Sequence, residues 1–149
     1  KALKLPVEFK LAGSFKNELP KELIEDGTYV GEIKGGEDMY NFHKNNDILL
    51  MTSAWEGFPL VIMEAMAFGA IPLVPAVDAI PEHIENGVNG FILKEVNNED
   101  DLVNEAVFNI QELIKINKEL IEISFEAYKY AINNFSVNKF RDEYRKALL

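Results

Sequence analysis

Along residues 5–94 the apolar positions fall in short runs punctuated by Gly, Pro and Asn. Residues 99–149 contain neither Gly nor Pro and carry a helical pattern almost throughout. Pro6-Val7-Glu8-Phe9-Lys10-Leu11-Ala12-Gly13 alternates and predicts a strand over 6–13. The spacing predicts a short helix over 17–26 closed by Gly27, a strand over 29–33, a turn at Gly35-Gly36 and a helix over 38–44. Residues 47–53 are mostly apolar, the pattern of a strand buried on both faces of a parallel sheet. A helix over 59–69 ends at Gly69, and residues 71–75 make the next strand, where Pro72 points to a sheet edge or a bulge. A short helix over 80–84, turns at Asn86-Gly87 and Asn89-Gly90, and a strand over 91–93 complete this region. Strands alternating with helices through short links mean crossover connections and a mainly parallel sheet.

In the second region Leu102, Ala106, Ile110 and Leu113 share one helix face, and Leu120, Phe125, Tyr128 and Ile132 are the expected packing face of the next. The last helix, over 136–149, opens on a capping serine, Ser136. Its stripe of Phe140, Tyr144 and Leu148 is read as intradomain core first and as an interface second. The predicted class is α/β: a Rossmann-like, mostly parallel sheet flanked by helices, followed by C-terminal packing helices.

The 149 residues suffice for one domain with a sizeable core, which buries roughly two-thirds of the unfolded chain's surface. A net charge of −10 argues against a nucleic-acid surface or a broad anionic-membrane surface. The chain has no cysteine, so disulfides, zinc-thiolate sites and cysteine nucleophiles are excluded. No secretory signal opens the chain. Pro59, Glu64, Pro72 and Pro75 interrupt the apolar run over 57–77, so no transmembrane segment is expected, and a cytoplasmic location is. The chain begins at Lys1 without a methionine and reads as part of something longer.

Between Gly57 and Val77 the one charge in twenty-one residues is Glu64. Burying an unpaired carboxylate costs several kcal/mol, roughly, so a charge inside a good core segment suggests a functional site. Glu56 lies eight positions earlier, in the loop before the helix. Pro59 is well tolerated in the helix's first turn, where its missing N–H has no partner to lose. Such a helix start presents free N–H groups and about half a positive charge. Gly57 lets the backbone approach a ligand, and the crevice beyond the strand C-termini is the usual ligand site of an open α/β sheet. Together these residues make a pocket suited to a diphosphate. Glu64, about one and a half turns into the helix, offers a carboxylate that matches the vicinal hydroxyls of a ribose, or is a mid-helix charge that simply reaches the surface. Glu56 could reach hydroxyls of the group that the diphosphate carries. His43 ends a polar helix and reads as a surface residue, whereas His83 could line the crevice or lie outside it. Trp55 could stack on a ligand or pack its loop. The acidic runs over 18–26 and 95–101 read as solvated.

The block Ser53-Ala54-Trp55-Glu56-Gly57-Phe58-Pro59-Leu60-Val61-Ile62-Met63-Glu64-Ala65-Met66-Ala67-Phe68-Gly69 resembles the E-x7-E signature of retaining glycosyltransferases with the GT-B fold, family 4 and relatives. Ile71-Pro72-Leu73-Val74, Ala79-Ile80-Pro81-Glu82 and Asn89-Gly90-Phe91 resemble the segments that follow it. Leu11-Ala12-Gly13 and Val30-Gly31-Glu32-Ile33 resemble the strands that precede it, and Phe135-Ser136 with Tyr144 the closing helix. A bare E-x7-E is weak; the extended block, in this order and over nearly the whole chain, is specific.

The resemblance implies that residues 1–149 are a donor-binding domain, the C-terminal half of a GT-B enzyme, truncated at its N-terminal edge and lacking the acceptor-binding N-terminal domain. The implied ligand is a UDP-, GDP- or ADP-linked sugar, with no cofactor and no metal. Glu64 would bind the ribose hydroxyls and Glu56, in the catalytic position, the donor sugar. Gly57, Phe58, Pro59 and Leu60 would cradle sugar and phosphate, Pro59 without an N–H to give, and the strand end at Ile33 would meet the base. Two departures bear on this reading. The family's Arg and Lys that clamp the diphosphate have no match here, so the fragment alone is expected to be inactive and to bind nucleotide weakly. Asp78-Ala79 stands where a Gly-Gly pair is common, and Ala79 could restrict backbone approach to the donor. Two other readings stand beside this one: half of a GT-B-like sugar-nucleotide epimerase, and a non-catalytic flavodoxin-like interaction domain.

Overall fold

The computed structural model describes residues 6–53, 57–94 and 98–148, with Asn117 described for its backbone alone. Glu56 and Trp55 therefore lie outside the described residues. The chain divides into two compact units, residues 1–41 and 42–149.

The first unit holds two short parallel strands, β1 (Leu11–Ala12) and β2 (Tyr29–Gly31). The strand predicted over 6–13 shrinks to two residues, because Glu8, Phe9 and Lys10 remain exposed. The helix predicted over 17–26 is split into a single 3-10 turn, Lys16–Glu18, and α1 (Lys21–Glu25). Pro20 is the reason: a proline forces the residue before it out of the helical region, and Leu19 is extended at φ −86°, ψ 145°. The Tyr29 hydroxyl donates to the Gly13 carbonyl at 2.7 Å and holds the end of β1. Helix α2 (Glu37–Lys44) begins in this unit and ends in the second.

In the second unit β3 (Ile48–Leu50), β4 (Ile71–Pro75) and β5 (Phe91–Leu93) form a parallel sheet in the order β3-β4-β5. The strand expected to be buried on both faces, β3, is an edge of this sheet and only half-buried. The strand where Pro72 points to an edge or a bulge, β4, is central, and all five of its residues are buried. Its prolines are tolerated there because of where the ladders begin and end. The Ile71 N–H donates to the Asp47 carbonyl at 2.8 Å and the Leu73 carbonyl accepts from Met51 at 3.1 Å. Residues 71 and 73 thus turn their polar groups to β3, and Pro72 turns toward β5. Pairing with β5 starts only at Leu73–Phe91, so the N–H that Pro72 lacks is not a ladder donor. Pro75 faces β3 past the last partnered pair, Leu50–Leu73.

The link from α4 into β5 is held by its asparagines. Asn89, 4% exposed, accepts from the Glu85 N–H at 2.8 Å and donates to the His83 carbonyl at 3.0 Å. Asn86 accepts from the Ile92 N–H at 2.9 Å. Gly90 is buried between these turns: a Cβ there would lie 2.7 Å from Pro72 Cγ, 2.8 Å from Ile84 Cγ2 and 3.0 Å from the Pro72 carbonyl. Gly90→Ala is expected to cost about 1–3 kcal/mol of stability through overpacking, read as a lower denaturant midpoint.

Helix α3 (Leu60–Ala67) packs its Ile62, Ala65 and Met66 side into the core with Val74, Ile80, Ile84, Ala127 and Ala131. Gly69, at φ +81°, ends it, and the Gly69 carbonyl accepts from the Ser124 hydroxyl of α6 (Asn117–Asn134) at 2.6 Å. Short helix α4 (Ile80–His83) follows β4, and α5 (Glu99–Leu113) follows β5. The predicted α5 face is the buried one: Leu102, Ala106, Ile110 and Leu113. The α6 face is not the predicted one. Phe125, Tyr128 and Ile132 are exposed, and Ile123, Ala127 and Ala131 are buried. Small residues at i and i+4 let α6 approach α3 closely, so alanine rather than the larger apolar residues marks the seam. Ser136 accepts from the Lys139 N–H as the expected cap of α7 (Val137–Leu148). Here too the core expectation fails: Phe140, Tyr144 and Leu148 are 68%, 57% and 70% exposed, and α7 buries no residue. Among the described residues no helix is long and apolar enough to cross a membrane.

Candidate functional site

Because β3, β4 and β5 run parallel, their C-terminal ends share one edge of the sheet, and α3 and α4 both start from it. Pro59 caps α3 instead of forming its first turn: it is extended at φ −66°, ψ 134°, and the helix begins at Leu60. The side chain of Pro59 does not cap this terminus, and the first N–H groups of a helix have no acceptor within it. Gly57 and Leu60 are exposed; Phe58 and Pro59 are half-buried.

Phe58 packs into an aromatic cluster. Its ring packs 4.4 Å from that of His83 and 5.3 Å from that of Phe135 (centroid distances), and Tyr130 closes the cluster, 5.5 Å from Phe135. His83 Nδ1 and the Tyr130 hydroxyl share a hydrogen bond at 3.0 Å. His83 is therefore a packing residue that pins the start of α3 to α4 and α6. Burial raises the Tyr130 pKa above the usual phenol value. A cleft of about 610 Å³ between α4 and α6 is lined by His83 together with residues such as Glu82, Asn89, Lys129 and Asn133, and by none of Ile33, Gly57, Phe58, Pro59, Leu60 or Glu64.

Beyond β4, Asp78 takes the left-handed conformation at φ +46°, alone among the described non-glycine residues. Aspartate tolerates this region better than most residues. Asp78 thus adopts the backbone that a glycine would supply, and Ala79, at φ −83°, caps α4 in an ordinary conformation.

Glu64 is not stranded in the core. Its side chain is 44% exposed rather than buried. At about 100° per residue, Glu64 falls roughly opposite the Ile62, Ala65 and Met66 side, on the face that carries exposed Leu60. Side chains at i and i+4 stack on one face, and helical side chains tilt toward the N-terminus. Glu64 thus shares the exposed face of α3 with Leu60, one turn nearer the helix start. It is not stranded on an outer layer, because the Nε2 atom of His43, from α2, lies 3.9 Å from its Oε2. His43, expected at the surface, is 3% exposed. The spacing of Met39, Phe42 and His43, i, i+3 and i+4, is the sequence signal for an inner stripe. Burial depresses the His43 pKa below its ordinary value, and the Glu64 charge opposes that shift. Ile33 lies just past β2 in the first unit and is half-buried. Among the described residues no group of acidic and histidine side chains is disposed to hold a metal ion.

The family model described as glycosyl transferases group 1 matches residues 7–129. An uncharacterized glycosyltransferase of Haemophilus influenzae is 31% identical over 150 residues, which cover 93% of this chain and 39% of that protein. The chain thus spans well under half the length of this relative. The structure of HepE from Anabaena, in complex with UDP and glucose, superposes with a TM-score of 0.73 at 23% identity, covering 93% of this chain and 39% of that one. A C-terminal domain of a glycosyl transferase group 1 protein, LpcC from Francisella tularensis, superposes at 0.66 with 23% identity over 83% of this chain and 63% of that one. The parallel α/β architecture is that of GT-B glycosyltransferase C-terminal domains, and neither the epimerase nor the flavodoxin-like reading is favoured. This chain belongs to the group 1 glycosyl transferase family.

Proposed function

We propose that these residues are the C-terminal, donor-binding domain of a retaining, metal-independent glycosyltransferase of the family 4 type, working in the cytoplasm on a nucleoside-diphosphate sugar. The observation that supports this reading is Glu64, half-exposed on the α3 face that it shares with Leu60, the first residue of the helix. One end of the site suits two hydroxyls of a ribose, and the other suits a diphosphate. The complexes of HepE with UDP and glucose support this choice of ligand.

In this reading the amides at Gly57, Phe58 and Leu60 face the sugar and phosphates, and the α3 dipole helps to offset the charge of the leaving diphosphate. Glu56 contacts the donor sugar and Ile33 the base. An N-terminal domain supplies the acceptor site, basic residues upstream clamp the diphosphate, and the exposed Phe140, Tyr144 and Leu148 stripe of α7 packs on that second domain. The domain by itself is then inactive.

Titration of the full-length protein with UDP, GDP and ADP is expected to give saturable binding for one of them, and NMR of the product to show the donor's anomeric configuration kept. No saturable binding by any of the three overturns the assignment, and an inverted product overturns retention.

A further inference from the structure

Among the described residues, His43 is the one buried polar side chain beside the proposed ribose site that makes no evident use of its chemistry. It is 3% exposed, and its Nε2 atom is buried without a hydrogen-bond partner among the described residues. Orphaned polar atoms inside a protein are uncommon and ask for an explanation. The carboxylate of Glu64, at 3.9 Å, is too far for a hydrogen bond and close enough to become one by a small rotation of the Glu64 side chain. Nothing comparable holds for His83, whose Nδ1 is already bonded to Tyr130.

Resting on the nucleotide-sugar reading above, we propose that His43 is a positioning residue: its Nε2–H anchors one oxygen of Glu64, so that the carboxylate meets the ribose hydroxyls in a fixed plane. The chemistry fits on three counts. Burial keeps the imidazole neutral near neutral pH, and a neutral imidazole has a single N–H to give. Facing a carboxylate, the tautomer with hydrogen on Nε2 is the attractive one, since a lone pair there would repel the oxygen. A carboxylate has about four lone-pair sites. One bond from His43 leaves enough of them for two hydroxyls. The half-exposed glutamate is otherwise free among several rotamers, and holding it before the ligand arrives lowers the entropic cost of binding. Rotation also gives the buried N–H its partner, so ligand binding and satisfaction of His43 reinforce each other.

The test uses the full-length protein and compares UDP with 2′,3′-dideoxy-UDP by calorimetry. GDP or ADP and its dideoxy form take their place if UDP is not the nucleotide bound. His43→Phe keeps a buried ring and removes the N–H; His43→Gln returns an amide N–H near the same place. Expected is about a tenfold loss of affinity for the ribonucleotide in His43→Phe, recovery to within about twofold in His43→Gln, and unchanged affinity for the dideoxy form in both. Equal weakening toward both nucleotides, or no weakening toward the ribonucleotide, overturns the proposal. If the phenylalanine is not accommodated, His43→Leu serves the same comparison. In the unsubstituted protein the His43 imidazole ¹⁵N resonances are expected to move on nucleotide addition, and their constancy overturns the proposal without any variant. Failure of the underlying reading looks different: Glu64→Ala then fails to separate the ribonucleotide from its dideoxy form, or no nucleotide binds at all.

Discussion

Replacing Glu64 by alanine in the full-length protein is expected to weaken nucleoside-diphosphate binding by about 3 kcal/mol, roughly a hundredfold. The figure follows from two hydroxyls donating to a charged acceptor, each bond contributing about 1.5–3 kcal/mol, with less than full additivity between bonds that share one carboxylate. Folding is expected to change by no more than about 0.5 kcal/mol, for three reasons. The side chain is 44% exposed, so no buried cavity is left. Its partner His43 has its pKa lowered and is neutral rather than cationic near neutral pH, so no ion pair is lost. Alanine is the better helix former. Calorimetric titration and a thermal melt on the same preparation therefore separate loss of the ribose contact from unfolding. An affinity equal to that of the parent protein would remove Glu64 from the site.

The largest expected effect on stability comes two residues away. Ile62→Ala is expected to cost about 2–5 kcal/mol, a large share of the total for a domain whose stability is about 5–15 kcal/mol. Ile62 is fully buried, in a cluster with Met66 of its own helix, Val74 of β4, Ile80 and Ile84 around α4, and Ala127 and Ala131 of α6. Four elements meet on this side chain, so none can close the cavity without disturbing another. The denaturant midpoint should fall with little change in slope. Leu60→Ala, on the same helix with Leu60 72% exposed, should shift it by less than about 0.5 kcal/mol. If both variants melt alike, α3 is not anchored as described. Because α3 also carries Glu64, nucleotide affinity should decline in Ile62→Ala.

These two residues show what periodicity can and cannot reveal. Strand and helix alternation, the order of the elements and the buried α5 face are all legible, because each rests on a local pattern that one neighbour completes. The E-x7-E block marks α3 by residue identity alone. Other features depend on partners distant in sequence. The prolines of β4 look like edge residues, and only the point where each ladder begins makes them compatible with a central strand. The α6 seam is not legible, because the largest apolar residues point to the wrong packing face. Close approach to α3 instead selects Ala127 and Ala131 and leaves Phe125 and Ile132 in solvent. His43 reads as a surface residue because a polar side chain says little about burial when its own helix is mostly polar.

By itself the amino-acid sequence determined the α/β class, the order of elements and the family block around Glu64, since these rest on local spacing and on residue identity. Tertiary structure alone decided which side of α3 faces outward. That helix is apolar almost all round and has no polar face to read. The elements that cover Ile62, Ala65 and Met66 left Glu64 beside Leu60 and next to a buried histidine, and so made a half-exposed carboxylate out of what looks like a buried charge.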